Sequence, residues 1–326
     1  MDIIKIENES IVQKTQNTQK VGMLRMSDVQ NLRFSEFSDL SEFSEFSEHM
    51  DLQQSPLYKK YIKALHWDVV SLDGINMWIK KIPFLGTMAK IQRPVTLPYL
   101  PQLIPLLKKC HVTRVAVEPT LDTNPEQYQQ YIKSLSNFFS IHKEPFLPTK
   151  TIYVDLTLPE KEIFQKFTEA KRRAVRKAIK HDVIIKESTS IADLIRIKNT
   201  SAGMFGGITT YGIDKLWNIF YPKNATILLA NYRGQMIGGI LLLFWEDIAY
   251  YWIAGATKKG KKLFTPTLLV WEALKLSKKR RMKQFDFVGV FDERTPNQFT
   301  SWKGFTKFKE GFGGKELYYP CINFFR

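Results

Sequence analysis

The sequence predicts an α/β (α+β) protein in which a low-complexity leader precedes two copies of one domain, each a mixed sheet with flanking helices. The chain has 326 residues, about the length of two ordinary domains, and its 44% apolar and 25% charged residues are typical of a packed globular protein. The order β-β-β-α-β-α is predicted in both halves, which indicates a duplicated domain. We therefore expect a leader at 1–50 and domains at 51–149 and 150–326, with the last strand a candidate for pairing in the first domain.

The leader is acidic and repetitive. Residues 1–50 hold five basic and nine acidic side chains, and 34–48 repeat Phe-Ser-Glu in most copies. A period of three fits neither an ideal helix nor a strand, so we expect an irregular or weakly helical segment. The alternative is an acidic arm that competes for a basic groove. The first 20 residues lack the apolar core of a secretion signal, which favours a cytoplasmic location.

The first half alternates strand and helix patterns up to a proline-containing linker. Its elements are a short helix through Tyr58 and Tyr61, strands at 67–71, 75–82 and 87–91, a helix at 99–109, a strand at 113–117, a helix at 125–139 and the linker at 141–150.

The second half opens with a strand and a capping-box pattern, Thr157–Glu160, which predicts one helix reaching about His181. An apolar stripe that includes Ile179 is expected to be its buried side. The remaining elements are strands at 183–186, 226–232, 236–244, 248–254 and 284–288, helices at 191–200, 265–277 and 298–309, and an extended piece from Lys315.

Charge is distributed unevenly along the chain. The net charge is +16, of which the leader carries −4 and the remainder +20, so an anionic partner is favoured for the folded part. One cluster holds six cations within ten residues: Lys171, Arg172, Arg173, Arg176, Lys177 and Lys180. A second precedes a predicted helix and consists of Lys258, Lys259, Lys261 and Lys262. Arginine matches phosphate oxygens and a helix start favours anions, although a solvated basic surface is the alternative for any one residue.

Several chemical classes are excluded by residue type and spacing. Two cysteines and five scattered histidines provide neither a disulfide framework nor a Cys-rich zinc site, so no metal is expected. The chain also lacks a P-loop, a Gly-x-Gly-x-x-Gly fingerprint and a Gly-x-Ser-x-Gly elbow. No transmembrane segment is expected, because Glu246-Asp247 interrupts the most apolar stretch at its centre.

The most specific pattern lies near the carboxyl end. The strand Phe285–Val290 is followed by Phe308-Lys309 and then by Gly311-Phe312-Gly313-Gly314. Together with the Arg-rich cluster, the Gly255-Ala256-Thr257 turn and Val117-Glu118-Pro119, this resembles the FemABX family of peptidyltransferases over about residues 51–326. The resemblance implies two tandem GNAT-like acyltransferase domains. It also implies transfer of an amino acid from aminoacyl-tRNA, not acetyl-CoA, to an amine of a peptidoglycan precursor's stem peptide.

The resemblance also implies roles for particular residues. Lys309 would stabilise the tetrahedral oxyanion or adjacent phosphate charge, and Glu118 would orient or deprotonate the attacking amine. Contacts with the precursor would come from Arg172, Arg176, Phe308 and Trp252. Contacts with tRNA or phosphate would come from Arg173, Lys177, Lys180, Lys258, Lys259, Lys261 and Lys262. Ala254 departs from the family, which often has tyrosine there, so one substrate contact differs.

The expected partners follow from the same resemblance. They are aminoacyl-tRNA as the co-substrate, with no other cofactor, and a lipid- or UDP-linked muropeptide precursor. Peripheral contact with the inner membrane face is a further expectation. Two alternatives stay open: an N-acyltransferase of the same fold that uses acyl-CoA on a polysaccharide or lipid amine, and a non-catalytic RNA-binding protein.

Overall fold

The computed structural model describes residues 50–202 and 210–322. The Phe-Ser-Glu repeat lies outside these residues, so the expectations for the leader are not addressed by the structure. Residues 49–326 form one compact unit, which contains two separate sheets. Within the described ranges, no helix has the length and apolar character needed to cross a membrane.

The first sheet has five strands in the order β1-β2-β3-β4-β5. The strands are β1 (Asp68–Leu72), β2 (Ile75–Ile82), β3 (Gly86–Gln92), β4 (Arg114–Glu118) and β5 (Ser140–Ile141), and the helices are α1 (Pro56–Ala64), α2 (Leu100–Lys109) and α3 (Pro125–Ser136). The first three strands form an antiparallel meander, whereas β3, β4 and β5 are parallel. Helices α2 and α3 connect the parallel strands, and both contribute to one apolar core with the sheet.

The second sheet has seven strands in the order β12-β6-β11-β10-β9-β8-β7. Its strands are β6 (Lys150–Asp155), β7 (Ile184–Ser188), β8 (Ala225–Tyr232), β9 (Gln235–Trp245), β10 (Ile248–Ala256), β11 (Gln284–Asp286) and β12 (Lys315–Tyr318). Its helices are α4 (Glu160–Lys166), α5 (Glu169–Lys180), α6 (Ile191–Ala202), α7 (Ile213–Phe220), α8 (Lys258–Lys262), α9 (Thr265–Lys279) and α10 (Lys303–Glu310). Only the pair β10–β11 is parallel, so this sheet is also mixed.

The segment before α1 joins the two sheets. The side chain of Gln54 donates hydrogen bonds to the carbonyls of Asn76 and Gln92 in the first sheet. On the other side, the indole of Trp245 donates to the carbonyl of Met50 at 2.9 Å. Tyr58 of α1 packs in a core that also includes residues of α6, α7, β8 and β9. The two sheets are therefore connected by shared packing as well as by the covalent chain.

The predicted fold class, with two mixed sheets and flanking helices, is confirmed, while several element boundaries differ. The predicted single helix to His181 is two helices, because Phe167 is extended and packs its ring against Trp271 and Phe312. Ile179 is 55% exposed, so its assignment to the buried side was wrong. The predicted linker at 141–150 overlaps β5 at Ile141 and β6 at Lys150, and the last strand pairs with β6 in the second sheet.

Candidate active site

Lys309 lies beside the segment that follows strand β11 of the second sheet. It is the penultimate residue of α10, and its side chain is buried, with 7% of the residue exposed. The ammonium donates hydrogen bonds to the carbonyls of Phe287 at 2.7 Å and Gly289 at 2.6 Å. An ammonium has three N–H donors, so one donor is left for a substrate oxygen.

The two carbonyls that hold Lys309 are set by a tight turn. Val288 and Gly289 have φ values of 51° and 96°, and a Cβ on Gly289 would collide with Pro148. Asp286 accepts a hydrogen bond from the amide of Val288 at 2.7 Å and a short one from the Thr151 hydroxyl. The amide of Gly289 in turn donates to the Thr151 hydroxyl oxygen at 3.2 Å. Asp286 and Thr151 thus fix the turn that positions the ammonium.

The surroundings of Lys309 weaken its hold on a proton. Burial and the nearby charge of Lys198 lower the pKa of Lys309 to about 8, while the carboxylate of Asp286 acts in the opposite direction. Burial also raises the pKa of Asp286, against the hydrogen bonds that it accepts. The rings of Tyr251 and Phe305 lie 5.7 and 5.2 Å from the ammonium nitrogen. A pKa near neutrality in a partly apolar site is typical of a group that acts on developing charge.

Glu118 ends β4 in the first sheet and is equally buried, with 7% exposed. Each carboxylate oxygen accepts a hydrogen bond at 2.6 Å, one from the Gln92 side chain and one from the amide of Leu147. These contacts hold the end of β4 to the neighbouring strand and to the segment that leads into the second sheet. Glu118 therefore stabilises the position of the end of β4, and its catalytic role stays a prediction.

Arg93 connects the surroundings of Glu118 with those of Asp286. Its guanidinium donates to the carbonyls of Pro119 at 2.6 Å and Pro148 at 2.7 Å, and it stacks 3.3 Å from the ring of Tyr319. Arg93 also acts electrostatically on Asp286. Glu118 and the turn that holds Lys309 therefore both lie near the junction of the two sheets, where Arg93 contacts Pro119 and Pro148 and where Gly289 packs against Pro148. The sequence analysis missed Arg93.

The predicted precursor contacts separate into two groups. Arg172 uses its guanidinium to donate to the carbonyls of Gln165 and Phe167, at 2.7 and 2.5 Å, and so caps the end of α4. Arg176, one turn later, is exposed. Arg173 is also exposed and pairs with Glu169 at 3.5 Å. Arg172 and Arg176 are the two arginines predicted to contact the precursor, and Arg176 is the more accessible of them.

Phe308 contacts side chains of α5 and of the segment after α10. Its ring packs edge-on against Phe312, and the ammonium of Lys171 lies 3.7 Å from the Phe308 ring centroid. Burial lowers the pKa of Lys171 to about 8. Phe308 therefore joins α10 to the Arg-rich helix α5, which places the two most specific sequence patterns in direct contact.

Trp252 and Tyr251 contribute to different environments. The Trp252 ring contacts Tyr58 of α1, with 6.4 Å between ring centroids. Tyr251 instead contacts Phe285 and Phe287 and lies near Lys309. Tyr251 is thus an aromatic residue of β10 near the ammonium, and the precursor contact expected of Trp252 stays a prediction.

The two cationic clusters adjoin each other. Lys258, Lys259, Lys261 and Lys262 lie in α8, are all exposed, and follow a Thr257 cap whose hydroxyl accepts the Gly260 amide at 3.0 Å. Lys177 of α5 lies 5.4 Å from the ring of Phe264, two residues beyond α8. Lys177 and Lys180 are also exposed. Helices α5 and α8 therefore form one basic surface on the second sheet's side of the molecule.

Within residues 50–202 and 210–322, no group of three or more His, Cys, Asp or Glu side chains is arranged to hold a metal ion. The expectations that no metal and no cofactor are needed stay predictions.

Comparison with known families identifies the region that carries Lys309. Residues 224–318 match the FemAB family. The predicted FemABX resemblance is confirmed. The FemAB match includes β10, the turn after β11 and the Phe308-Lys309 pair, so the geometry around the buried ammonium belongs to the matched region. No curated protein sequence matches the chain.

Solved structures show a likeness of fold over most of the chain. FemX aligns with a TM-score of 0.65 at 14% identity, covering 84% of this chain and 92% of FemX. The C-terminal domain of a putative lysylphosphatidylglycerol synthetase from Agrobacterium fabrum aligns with a TM-score of 0.55 at 11% identity, covering 83% and 86%. L-PGS from Bacillus licheniformis aligns with a TM-score of 0.51 at 12% identity, covering 86% and 94%. At these identities the likeness establishes the fold.

Proposed function

We propose that this protein is an aminoacyltransferase that moves an amino acid from aminoacyl-tRNA to an amine of a peptidoglycan precursor's stem peptide. The observation that carries the proposal is the FemAB match over a region whose one buried lysine, Lys309, is held by two backbone carbonyls at the junction of the sheets. The adjoining basic helices α5 and α8 support polyanionic partners. The expected setting is the cytoplasm, with contact at the inner membrane face.

The proposed chemistry needs a neutral amine and a stabilised oxyanion. The acceptor nitrogen attacks the ester carbonyl, and a C–N bond forms as negative charge develops on the carbonyl oxygen. Collapse breaks the ester C–O bond, the ribose hydroxyl of the tRNA leaves, and the proton lost by the amine is passed to the leaving oxygen or to water. The third N–H of Lys309 supplies a hydrogen bond to the oxyanion, and Asp286 favours the protonated lysine.

The basic surface gives the proposal a binding component. Exposed cations on α5 and α8 neutralise backbone phosphates of tRNA, so affinity should fall steeply with salt concentration. Arg176 and its neighbours are proposed to contact the diphosphate of the precursor, where a planar guanidinium matches phosphate oxygens. Glu118 is proposed only as a residue near the acceptor amine, because its two oxygens already accept hydrogen bonds.

The experiment is a transfer assay with the full-length protein. Purified protein is incubated with a mixed pool of charged tRNAs and either UDP-linked or lipid-linked muropeptide, and the acceptor is analysed by mass spectrometry. We expect the mass of one or more amino acids to be added, and Lys309→Met to slow the addition by about 100-fold or more. Lys307→Met is the matched control, because Lys307 lies on the same helix and is exposed.

The same assay separates the alternatives. Transfer from acyl-CoA with indifference to tRNA would replace the proposal with an N-acyltransferase. Transfer to phosphatidylglycerol rather than to muropeptide would leave the donor correct and the acceptor wrong. Binding of tRNA without transfer to any acceptor would favour the non-catalytic RNA-binding protein.

A further inference from the structure

One end of the first sheet carries an unusual combination of exposed aromatic and basic side chains. Phe84, at the tip of the β2–β3 hairpin, is fully exposed, at 106% of its reference area. Phe138, just after α3, is 40% exposed. The Phe84 ring is not buried by any other described part of the protein, so the whole ring is available to a partner.

The topology brings three segments to this end of the sheet. Strands β3 and β4 are parallel, with Met88 opposite Arg114, and the amide of Thr113 donates to the carbonyl of Thr87 at 2.9 Å. The amide of Ser140 donates to the carbonyl of Thr113 at 3.1 Å. The hairpin tip, the end of α2 and the end of α3 are therefore adjacent. We call the segments 80–86, 106–114 and 133–141 together the hairpin-end surface.

The hairpin-end surface has a single sign of charge. Its sequence contains six Lys or Arg residues and no Asp or Glu: Lys80, Lys81, Lys108, Lys109, Arg114 and Lys133. Four of these are exposed: Lys81, Lys108, Lys109 and Lys133. The ammonium of Lys108 lies 5.2 Å from the ring centroid of Phe138, so cationic and aromatic groups are directly mixed. This charge complements an anionic surface.

The hairpin tip forms a hydrogen-bonded turn that packs against the start of β4. The amide of Leu85 donates to the carbonyl of Ile82 at 3.1 Å and closes a turn in which Phe84 has a φ of 65°. Gly86 has a φ of 88°, and a Cβ there would collide with the Thr113 hydroxyl. A turn anchored against β4 presents Phe84 outward in a fixed direction.

We infer that the hairpin-end surface docks this protein on an anionic lipid bilayer, with Phe84 inserted at the interface and the lysines among the lipid phosphates. Aromatic rings favour the interfacial region, and each basic residue near an anionic bilayer strengthens binding about fivefold. An isolated apolar tip surrounded by cations matches this geometry better than it matches a second protein surface, which needs a broader apolar centre. This docking does not depend on the proposed transfer reaction.

The test is a vesicle sedimentation assay with the full-length protein. We expect binding to vesicles of phosphatidylcholine mixed with phosphatidylglycerol, and little binding to phosphatidylcholine alone. Phe84→Ser should lower the partition coefficient about tenfold, whereas Phe84→Trp should preserve it. The double variant Lys108→Ala/Lys109→Ala should lower it about thirtyfold, and raised salt should weaken the wild type in the same way.

Two matched control variants distinguish binding through this surface from nonspecific adsorption of the protein to vesicles. Tyr99→Ser removes an aromatic residue that is 58% exposed and lies at the opposite end of α2 from Lys109. Lys161→Ala/Lys186→Ala removes two exposed cations from the second sheet's side. Both control variants should bind vesicles as the wild type does.

The inference is overturned if anionic vesicles are not bound, or if the controls weaken binding as much as the hairpin-end variants. It is also overturned if Phe84→Ser alters only self-association or only tRNA affinity, since the surface would then contact protein or RNA. Transfer to a UDP-linked acceptor in solution should be unchanged by Phe84→Ser, so failure of the proposed function is recognised separately.

Discussion

Glu118, at the end of β4, and Lys309, near the end of α10, are two charged residues of equal burial that differ in what surrounds them. The Glu118 carboxylate is enclosed by neutral donors that tie together a strand, its neighbour and a loop. The Lys309 ammonium is held by two carbonyls of a strained turn, retains one donor and has an opposite charge nearby. Burial alone therefore does not make a charged residue a catalytic candidate, whereas an unused donor beside a charge with a shifted pKa does.

The largest effect is expected from removing the ammonium. Lys309→Met should lower the transfer rate by about 100-fold to 1,000-fold, the usual loss when one oxyanion donor is deleted. Single-turnover kinetics at saturating substrates measure this loss. A decrease of less than about tenfold, with the variant folded, would mean that Lys309 is structural like Glu118.

The next effect concerns Asp286, which we regard as a positioning residue. Asp286→Asn keeps an oxygen that accepts the Val288 amide but removes the charge that favours protonated Lys309. The rate should fall about tenfold, and the alkaline limb of the pH–rate profile should move below its wild-type position near pH 8. The sign follows because the rate requires the ammonium and its pKa decreases without the neighbouring carboxylate.

Thr151→Ser is the conservative control for Asp286, since it keeps the hydroxyl that joins Asp286 to Gly289. Its pH–rate profile should match the wild type. If Asp286→Asn lowers the rate with no movement of the alkaline limb, Asp286 acts only on packing.

Glu118→Gln should mainly affect stability. The substitution replaces one accepting oxygen with an NH2 group, which then faces the N–H donor of Gln92 or of Leu147 and cannot accept its hydrogen bond. This should cost about 1–3 kcal/mol in the free energy of unfolding. Chemical denaturation measures this change, and the transfer rate of the folded fraction should stay within about threefold. A rate loss comparable to that of Lys309→Met, with unchanged stability, would restore the predicted catalytic role.

The smallest effects are expected on α5. Arg176→Ala should weaken muropeptide binding severalfold without altering stability, because its side chain is exposed. Arg172→Ala should instead cost about 1 kcal/mol of unfolding free energy, because its guanidinium caps α4. Calorimetric titration and denaturation together separate the two, and the reverse pattern would show that Arg172 leaves its cap to bind phosphate.

The sequence predicts most of the strands and helices but not what fixes their ends. The meander from β8 to β10 is confirmed because apolar runs and turn residues are local signals. The break at Phe167 is not predictable in this way, because it depends on rings more than 100 residues away in the chain, at Trp271 and Phe312. The two-residue strand β5 is too short to leave a periodic pattern.

The candidate site was predicted in part for a similar reason. Lys309 was identified from a family-like pattern, but Asp286 and Arg93 were missed because their partners Thr151 and Pro119 are distant in the chain and are brought close only by the fold. A signal for Asp286 does exist: a carboxylate within the apolar run Phe285–Val290 must have hydrogen-bond partners if that run is buried. Tyr251 was also missed, and the register shift between Tyr251 and Ile253 has no mark in the sequence.

The most direct test of the central claim is a crystal structure of the full-length protein with a stable tetrahedral analogue of the aminoacyl ester, such as a phosphonate on a short tRNA end. We expect the charged oxygen of the analogue to lie about 3 Å from the Lys309 nitrogen, on the side not occupied by the Phe287 and Gly289 carbonyls. An analogue bound with that oxygen beyond hydrogen-bond reach of Lys309 would contradict it.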